Sequence, residues 1–170
     1  MFDWIAQLLE KFWDYIRFWE IIDPFENGVL VRLGTFKRVL KPGFHLKIPF
    51  IDYVYSAITT PDTMNTAPIT LTTTDGKSVS IGAVVEFEID DIYKYTMCTN
   101  EPRSNMHDII LGAISEEIED RDWDEIKKKT TRNAVQRKIS KKCEEMGIKI
   151  TDFYFTDKCQ VRPFKIFKDS

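Results

Sequence analysis

The sequence predicts an α+β domain with a twisted, mainly antiparallel sheet and packed helices, preceded by an amphipathic N-terminal helix. Alternating apolar and polar residues, interrupted by glycine and proline turns, indicate paired strands between residues 26 and 89. Two later segments repeat apolar residues three and four positions apart and therefore predict helices. A chain of 170 residues can form one core of ordinary size, so we expect one domain with an appendage.

Residues 1–22 predict an amphipathic helix that lies on a membrane. Their apolar residues are three and four positions apart, and three of the four tryptophans occur here. Tryptophan favours the headgroup level of a bilayer, where its ring is buried and its N–H stays hydrated. The side chains predicted to bind the membrane are Phe2, Trp4, Ile5, Leu8, Leu9, Phe12, Trp13, Ile16 and Trp19.

Two other interpretations of this helix stay open. Its apolar face could pack on the sheet as a core helix, or it could dock into a groove of a partner protein. Five acidic residues up to Asp23 outnumber Lys11 and Arg17, so attraction to anionic lipid is not expected to drive binding. The segment lacks the apolar run of about 18 residues that a membrane-spanning helix needs.

Residues 26–55 predict a bent meander of short strands. Apolar and polar side chains are expected to alternate from Val29 to Leu33, and a turn is expected at Pro42-Gly43, where glycine accepts a positive φ. The apolar run Ile48–Ile51 follows where solvent is expected. It is either a buried strand end or a loop that dips into lipid. The residues of this loop predicted to contact the membrane are Pro49 and Phe50.

A β-hairpin is predicted at residues 69–89, with a primed turn at Asp75-Gly76. Strict alternation from Lys77 to Ile89 indicates one core face and one solvated face. Proline cannot donate to a strand ladder, so the preceding stretch Ala57–Pro68 is expected to be an irregular edge.

Two helices and a last strand are predicted in the second half of the chain. Glu101-Pro102 is typical of a helix start, and the first helix is expected over Asn100–Ser115. Asp124 is the expected cap of the second helix, which should end at Gly147. Alternation then predicts a strand over Ile148–Phe155.

Two blocks of opposite charge adjoin in the sequence. Residues 116–125 contain seven acidic residues and one basic residue, whereas residues 127–142 contain eight basic residues and no acidic one. Such runs are usually solvated, and nucleic-acid binding is disfavoured because no groove-reading motif or stacking aromatic accompanies them. We favour a head-to-tail contact between copies. The residues predicted to form this oligomer contact are Glu116, Glu117, Glu119, Asp120, Lys128, Arg132, Arg137, Lys138 and Lys141.

The sequence contains no catalytic or metal-binding motif that we recognise. His45 and His107 are isolated, and the three cysteines lack the spacing of a metal site or of a disulfide framework. We therefore expect a non-enzymatic protein without a cofactor, in a reducing compartment.

Four segments in order resemble the SPFH (Band 7) domain of the stomatin, prohibitin and flotillin relatives. They are GVLVRLG at 28–34, LKPGFHLKIPFIDYVY at 40–55, TLTTTDGKSVSIGAVVEFEIDDIYKY at 70–95 and GIKITDFYF at 147–155. The resemblance implies a membrane-associating helix at 1–22, an SPFH domain at 23–157 and a short tail at 158–170.

By this resemblance, the protein is expected to be a homo-oligomeric scaffold on membrane lipid, peripheral or monotopic and facing the cytoplasm. Such a scaffold would organise membrane patches and bind or regulate membrane proteins such as proteases or channels, without a nucleic-acid partner. The alternative is a soluble adaptor whose N-terminal helix docks into a partner. The long coiled coil that usually follows this domain is not seen, so a ring is expected to depend on domain contacts or on a partner.

Overall fold

A computed structural model describes residues 18–161 and Gln7. The described chain forms antiparallel sheets with packed helices, and the predicted α+β class is confirmed. The strands are β1 Trp19–Ile22, β2 Glu26–Arg32, β3 Thr35–Leu40, β4 Gly43–Leu46, β5 Asp52–Ile58, β6 Asp62–Thr72, β7 Ser78–Ile89 and β8 Ile148–Val161. The helices are α1 Ile92–Met97, α2 Pro102–Glu119, α3 Trp123–Ile126 and α4 Lys129–Glu145.

The main core lies between the sheet β6-β7-β8 and helices α2 and α4. The predicted alternation of β7 is confirmed, because every second side chain is buried. The inward residues of β7 are Val79, Ile81, Ala83, Val85, Phe87 and Ile89. Ile114 of α2, Ile139 of α4 and Phe153 of β8 complete this core, each with 0% exposure. Burial of one such side chain stabilises the fold by roughly 1.5–3 kcal/mol.

The hairpin between β6 and β7 is confirmed, but the predicted primed turn is wrong. Five residues, Thr73–Lys77, connect the paired ends of the strands. A primed turn would need a positive φ at Asp75, whereas within this connection only Gly76 has one, 72°. The Thr73 carbonyl accepts the Gly76 N–H at 2.9 Å, and the Thr73 hydroxyl donates to the Lys77 carbonyl at 3.1 Å. These bonds close a wider loop than the sequence predicted.

The second sheet has the order β3-β2-β5, and its central strand is buried on both faces. Val29 and Val31 pack against Ile92 on one face, while Leu30 packs against Leu40 on the other. The predicted apolar–polar alternation of this strand is therefore wrong, because a strand covered on both faces is apolar throughout.

The predicted helix over residues 1–22 is wrong at its C-terminal end, because Trp19–Ile22 is strand β1. β1 pairs with β4 in a separate two-stranded sheet, so β4 leaves the predicted meander. Gly43 opens β4 with the expected positive φ, 130°. Alternation in the sequence WEII explains the strand, since it places Ile22 inside and Ile21 outside. The helix predicted for residues 1–17 lies outside the described residues apart from Gln7, which is helical.

Four predicted boundaries change in the second half of the chain. α2 begins at Pro102 rather than at Asn100, and it continues to Glu119, beyond the predicted Ser115. Asp124 does not cap the long helix, because it lies inside α3 and α4 begins only at Lys129. Gly147 follows the end of α4 with φ 73°, as predicted. β8 continues past Phe155 to Val161, and so includes the first residues of the predicted tail.

The predicted irregular edge near Pro68 is confirmed in part. β6 is an edge strand, and its register with β7 shifts between Thr66 and Ile69, on either side of the proline. A bulge at this place is expected because proline has no N–H for the ladder. The rest of the stretch is more regular than predicted, since β6 already begins at Asp62.

Substitution of Gly147 by alanine should destabilise the domain by roughly 1–3 kcal/mol, because the residue has a positive φ. A Cβ there would also lie 2.3 Å from the Asp91 carbonyl oxygen. Gly112→Ala in α2 is the matched control, because nothing lies within 4 Å of its added Cβ. That change should stabilise the helix by about 0.5–1 kcal/mol. Urea unfolding measures both changes, and an unchanged Gly147→Ala midpoint would contradict the expectation.

Candidate functional site

The two-stranded sheet β1–β4 has an apolar outer face. Trp19 stands opposite Leu46, and Ile21 stands opposite Phe44. Side chains alternate along a strand, so these four residues share one face. Their exposed fractions are 44%, 67%, 65% and 63%, respectively. A contiguous apolar face of this kind is typical of an interaction surface rather than of scattered surface residues. We call these four residues the outer face.

The opposite face of the same sheet fixes it to the domain. Ile22 is 3% exposed and packs with Leu30 and Leu40. The Lys47 ammonium donates to the Glu20 carboxylate at 2.5 Å, so these two charges form a pair. The outer face therefore has a fixed orientation relative to the core.

Two loops that a hydrogen bond joins to each other also carry exposed apolar side chains. Leu33–Gly34 joins β2 to β3, and Lys47–Ile51 joins β4 to β5; we call them the two tips. Leu33 is 76% exposed and Phe50 is 66% exposed. Both have a positive φ, 49° and 66°, and in residues 18–161 no other non-glycine residue does. A positive φ is unusual for large side chains, and such strain is concentrated at functional positions.

An ion pair with a buried carboxylate holds the two tips together. Arg32 donates from Nε and Nη2 to the two carboxylate oxygens of Asp52, at 2.6 and 2.8 Å. The Asp52 side chain has 0% exposure and also accepts the Ile48 N–H at 2.8 Å. The Leu33 N–H donates to the Ile51 carbonyl at 3.1 Å, which joins one tip to the other.

The same contacts keep Asp52 ionised. The hydrogen bonds from Arg32 lower the pKa of Asp52 to about 2, although burial alone would raise it. The Ile48 N–H acts in the same direction as Arg32. Asp52 therefore stays ionised at a lower pH than an ordinary aspartate does.

Three of the residues predicted to bind the membrane are described by the structure. Trp19 lies on the outer face, Phe50 at a tip, and Pro49 beside it is half-buried. The sequence prediction missed Ile21, Phe44 and Leu46 of the outer face, and it missed Leu33 at a tip. Alternation in WEII was the available signal for Ile21, whereas the turn that exposes Leu33 has no sequence signal besides the following glycine. The predicted residues outside the described range are Phe2, Trp4, Ile5, Leu8, Leu9, Phe12, Trp13 and Ile16.

Several charges predicted to join copies are paired within the chain. The Lys138 ammonium lies 3.2 Å from the Glu116 carboxylate and 2.7 Å from that of Glu117. Burial would raise the pKa of Glu117, but hydrogen bonds from Lys138 and Arg121 hold it below its ordinary value. Arg132 donates to the Asp152 carboxylate and to a backbone carbonyl of β8. These side chains stabilise the packing of α4 on α2 and β8.

The remaining predicted contact residues are exposed and have no ion pair with another residue of the described range. They are Glu119, Asp120, Lys128, Arg137 and Lys141. The acidic members lie at the C-terminal end of α2, and the basic members lie before or along α4.

Residues 20–158 match the SPFH domain / Band 7 family. The chain belongs to this family. The match covers every strand and helix described above apart from the first residue of β1 and the last three residues of β8. It therefore includes the tips and almost all of the outer face.

Relatives of this SPFH domain carry the names HflK and stomatin-like protein. HflK of Vibrio cholerae is 25% identical over 171 residues, covering 98% of this chain and 42% of that protein. HflK of Treponema pallidum is 51% identical over 35 residues, covering 21% of this chain and 11% of that protein. Mouse stomatin-like protein 1 is 28% identical over 99 residues, covering 56% of this chain and 25% of that protein. The chain thus spans less than half the length of each of these relatives.

Within the described part of this SPFH domain, no helix has both the length and the apolar character that crossing a bilayer requires.

The pH dependence of stability should report the Arg32–Asp52 pair. The pKa of Asp52 is about 2 in the folded chain, below the ordinary value of 3.8. Because folding lowers this pKa, the pair contributes fully to the free energy of unfolding above about pH 4, the pKa of Asp52 in the unfolded chain. That contribution is lost as the pH falls toward 2. Urea midpoints measured between pH 5 and pH 2 should fall, and should fall less in Asp52→Asn. Parallel curves for the two proteins would contradict this assignment.

Proposed function

We propose that this SPFH-domain protein is a peripheral, homo-oligomeric scaffold that lies on a membrane facing the cytoplasm. The observation that carries the proposal is the exposed apolar outer face, together with the exposed apolar residues Leu33 and Phe50 at the two tips. The domain would gather membrane proteins such as proteases or channels, and it would act by binding rather than by catalysis.

The outer face supports lipid contact because it is preformed and free of charged side chains. Glu20 alternates to the opposite face, and Lys47 pairs with it there. Half-burial of four large apolar side chains would contribute roughly 3–6 kcal/mol. That is of the order of the reversible attachment given by a single lipid chain, so stable attachment needs a further contribution.

Two features of the chain can supply that contribution. The segment before β1 carries Trp4 and Trp13, and it leads directly into the outer face at Trp19. Assembly supplies the second contribution, because copies joined to one another bind the membrane through several weak contacts at once. Membrane binding and self-association therefore reinforce each other in this proposal.

The charges without an ion-pair partner among residues 18–161 support a narrower head-to-tail contact than the sequence predicted. Glu119 and Asp120 of one copy would meet Arg137 and Lys141 of the next, an arrangement that forms rings or filaments. Lys138 is better assigned to the fold, since it already contacts two carboxylates of its own chain.

Vesicle flotation tests the membrane proposal. Replacement of Trp19, Ile21 and Phe44 by serine should reduce flotation with neutral phosphatidylcholine vesicles by tenfold or more, because lipid contact through these side chains is lost. A chain that begins at Phe18 should retain part of the binding, because β1 is kept.

Ile58→Ser is the matched control for flotation. Ile58 is 54% exposed on β5, outside the outer face, and its replacement should leave flotation unchanged. Failure of the unaltered chain to float with neutral or anionic vesicles would overturn the membrane proposal and favour the soluble adaptor, whose apolar surface docks into a partner protein.

Charge reversal tests the assembly proposal. Arg137→Glu with Lys141→Glu should reduce particle size in multi-angle light scattering on vesicle-free protein at high concentration, because like charges would then face each other. Combining them with Glu119→Lys and Asp120→Lys should restore the size.

Lys138→Glu serves as the comparison for charge reversal. It should lower thermal stability by breaking the internal contacts of Lys138 with Glu116 and Glu117. If the particle size of the Arg137 and Lys141 variant equals that of the unaltered chain, the charged contact is wrong.

A further inference from the structure

We propose that the free edge of β5 is a contact between two copies of this chain, paired antiparallel about Ser56. The pairing would join the sheets β3-β2-β5 of both copies into one continuous sheet. This inference goes beyond the proposed function, because it needs neither lipid contact nor the charged contact between copies. Its symmetry also differs, since a two-fold pairing uses the same strand of both copies, whereas a head-to-tail contact uses two different surfaces.

The first argument is the direction of the backbone groups of β5. The Leu33 N–H donates to the opposite Ile51 carbonyl at 3.1 Å, and the Thr59 N–H donates to the opposite Phe25 carbonyl at 3.0 Å. Bonded pairs alternate along an antiparallel ladder, so the odd-numbered residues of β5 bond to β2 and the even-numbered residues point away. The residues after Asp52 that point away are Val54, Ser56 and Ile58.

These outward groups have no backbone partner within residues 18–161. Within that range β5 pairs with β2 alone, and it is an edge of its sheet. Three residues therefore present three N–H groups and three carbonyls to solvent, in one row. A row of this kind is a template on which another strand can pair.

The second argument is that this edge lacks the features that protect other strand edges. Bulges, prolines and charged side chains usually keep an exposed edge from pairing with another chain. β3, the opposite edge of the same sheet, has a register shift with β2 and carries Lys37 and Arg38. β6 has a register shift at Pro68. Residues 53–60 contain neither a proline nor a charged residue, so we expect this edge to be covered in the assembled protein.

The third argument is that the edge matches a second copy of itself. Two residues that face each other in a bonded antiparallel pair exchange two hydrogen bonds. With the two-fold axis at Ser56, this residue would bond to Ser56 of the second copy. Val54 would bond to Ile58 of the second copy, and Ile58 to Val54. All the outward groups of β5 are then satisfied in both copies.

The nearest other registers satisfy fewer groups. A shift in one direction would place Ile58 opposite Asp52, whose N–H already donates to the Ile48 carbonyl at 2.9 Å. A shift in the other direction would place Val54 opposite Thr60, which lies beyond the end of β5. The backbone therefore favours the register about Ser56.

The side chains also match in this register. Tyr55 would face Ala57 of the second copy, so a large ring would lie opposite a small side chain. Val54 would face Ile58 on the other face of the sheet, and no charges would oppose each other. Tyr55 is 52% exposed and Ile58 is 54% exposed, so both have apolar surface to bury. Hydrogen bonding, size and charge thus all favour a second copy as the partner strand.

One paired edge is smaller than a standard protein interface. Pairing is therefore expected at high protein concentration, or where copies are already gathered by another contact. Ile58→Ser would leave every backbone bond of the pairing in place, so it remains a suitable control for flotation.

Disulfide cross-linking of the full chain tests the register. The background is Cys98→Ser with Cys159→Ser, because both thiols are exposed. Cys143 is buried, and burial raises its pKa to about 12, so it should not react. Ser56→Cys should form a covalent dimer on mild oxidation, because facing Cα atoms would be about 5.5 Å apart, within reach of a disulfide.

Ile58→Cys is the matched control for cross-linking. It lies on the same edge and on the same face of β5, but two copies of residue 58 would be roughly 13 Å apart along the paired strands. Its covalent dimer on a non-reducing gel should be at least tenfold less abundant than that of Ser56→Cys.

Charge substitution at the two-fold axis is the second test. Ser56→Lys alone and Ser56→Asp alone should pair at least tenfold more weakly than the unaltered chain, because like charges would face each other. An equal mixture of the two should form mixed pairs, which native mass spectrometry identifies by mass. Thr70→Lys mixed with Thr70→Asp, at an exposed position of β6, should form no such pairs.

The outcomes separate this inference from the proposed function. If Ser56→Cys cross-links no more than Ile58→Cys, or if mixed pairs are no more frequent than chance, the pairing is wrong and the membrane scaffold stands. Cross-linking at position 56 in a chain that does not float supports the pairing and overturns the membrane proposal. Cross-linking should also persist with Arg137→Glu and Lys141→Glu, and its loss there would overturn the independence of the two contacts.

Discussion

Burial of one face of β7 is the constraint on which the rest of the domain depends. The face is covered by α2 and α4, so it fixes the two long helices and the neighbouring strand β8. Its last inward residue, Ile89, packs with Ile92, Val29 and Val31, which places the second sheet at the end of the first. β2 in that sheet is buried on both faces, and its last residue is Arg32. The contact of Arg32 with Asp52 then positions the two tips. The exposed apolar surface is thus set by the core several elements away.

The elements with a strong period were predictable from sequence, whereas their pairing partners were not. Alternation identified β7 residue by residue, and Pro102 and Gly147 gave the start of α2 and the end of α4. The predicted helix extended about one turn too far, into Trp19–Ile22. A four-residue stretch with three apolar residues fits both a helix and a strand. Pairing with β4 decided the outcome, and that contact is not local in sequence.

The candidate site was predictable from sequence only where apolar residues occur in a segment that is expected to be a solvent-exposed loop. Pro49 and Phe50 stood out as apolar residues in a loop, but Leu33 resembled an ordinary strand residue until its backbone conformation was known. In the charged blocks, the sequence instead assigned too many residues to the site. Sequence reveals that opposite charges exist, but only the fold shows that Lys138 and Arg132 use theirs internally. Ion pairs within the fold therefore remove Lys138 and Arg132 from the predicted contact between copies.

The pairing of β1 with β4 also has a mechanical consequence. Any tension from the segment that precedes Trp19 reaches the domain first through this short two-stranded ladder, whose register runs from Trp19 with Leu46 to Ile22 with Gly43. A pull on the N-terminal end away from β4 begins at the Trp19–Leu46 pair, so it loads the ladder one pair at a time. The ladder can open locally while the core around β7 stays folded. If the preceding segment is held on a membrane, as proposed above, this ladder is the part of the domain that opens first under load.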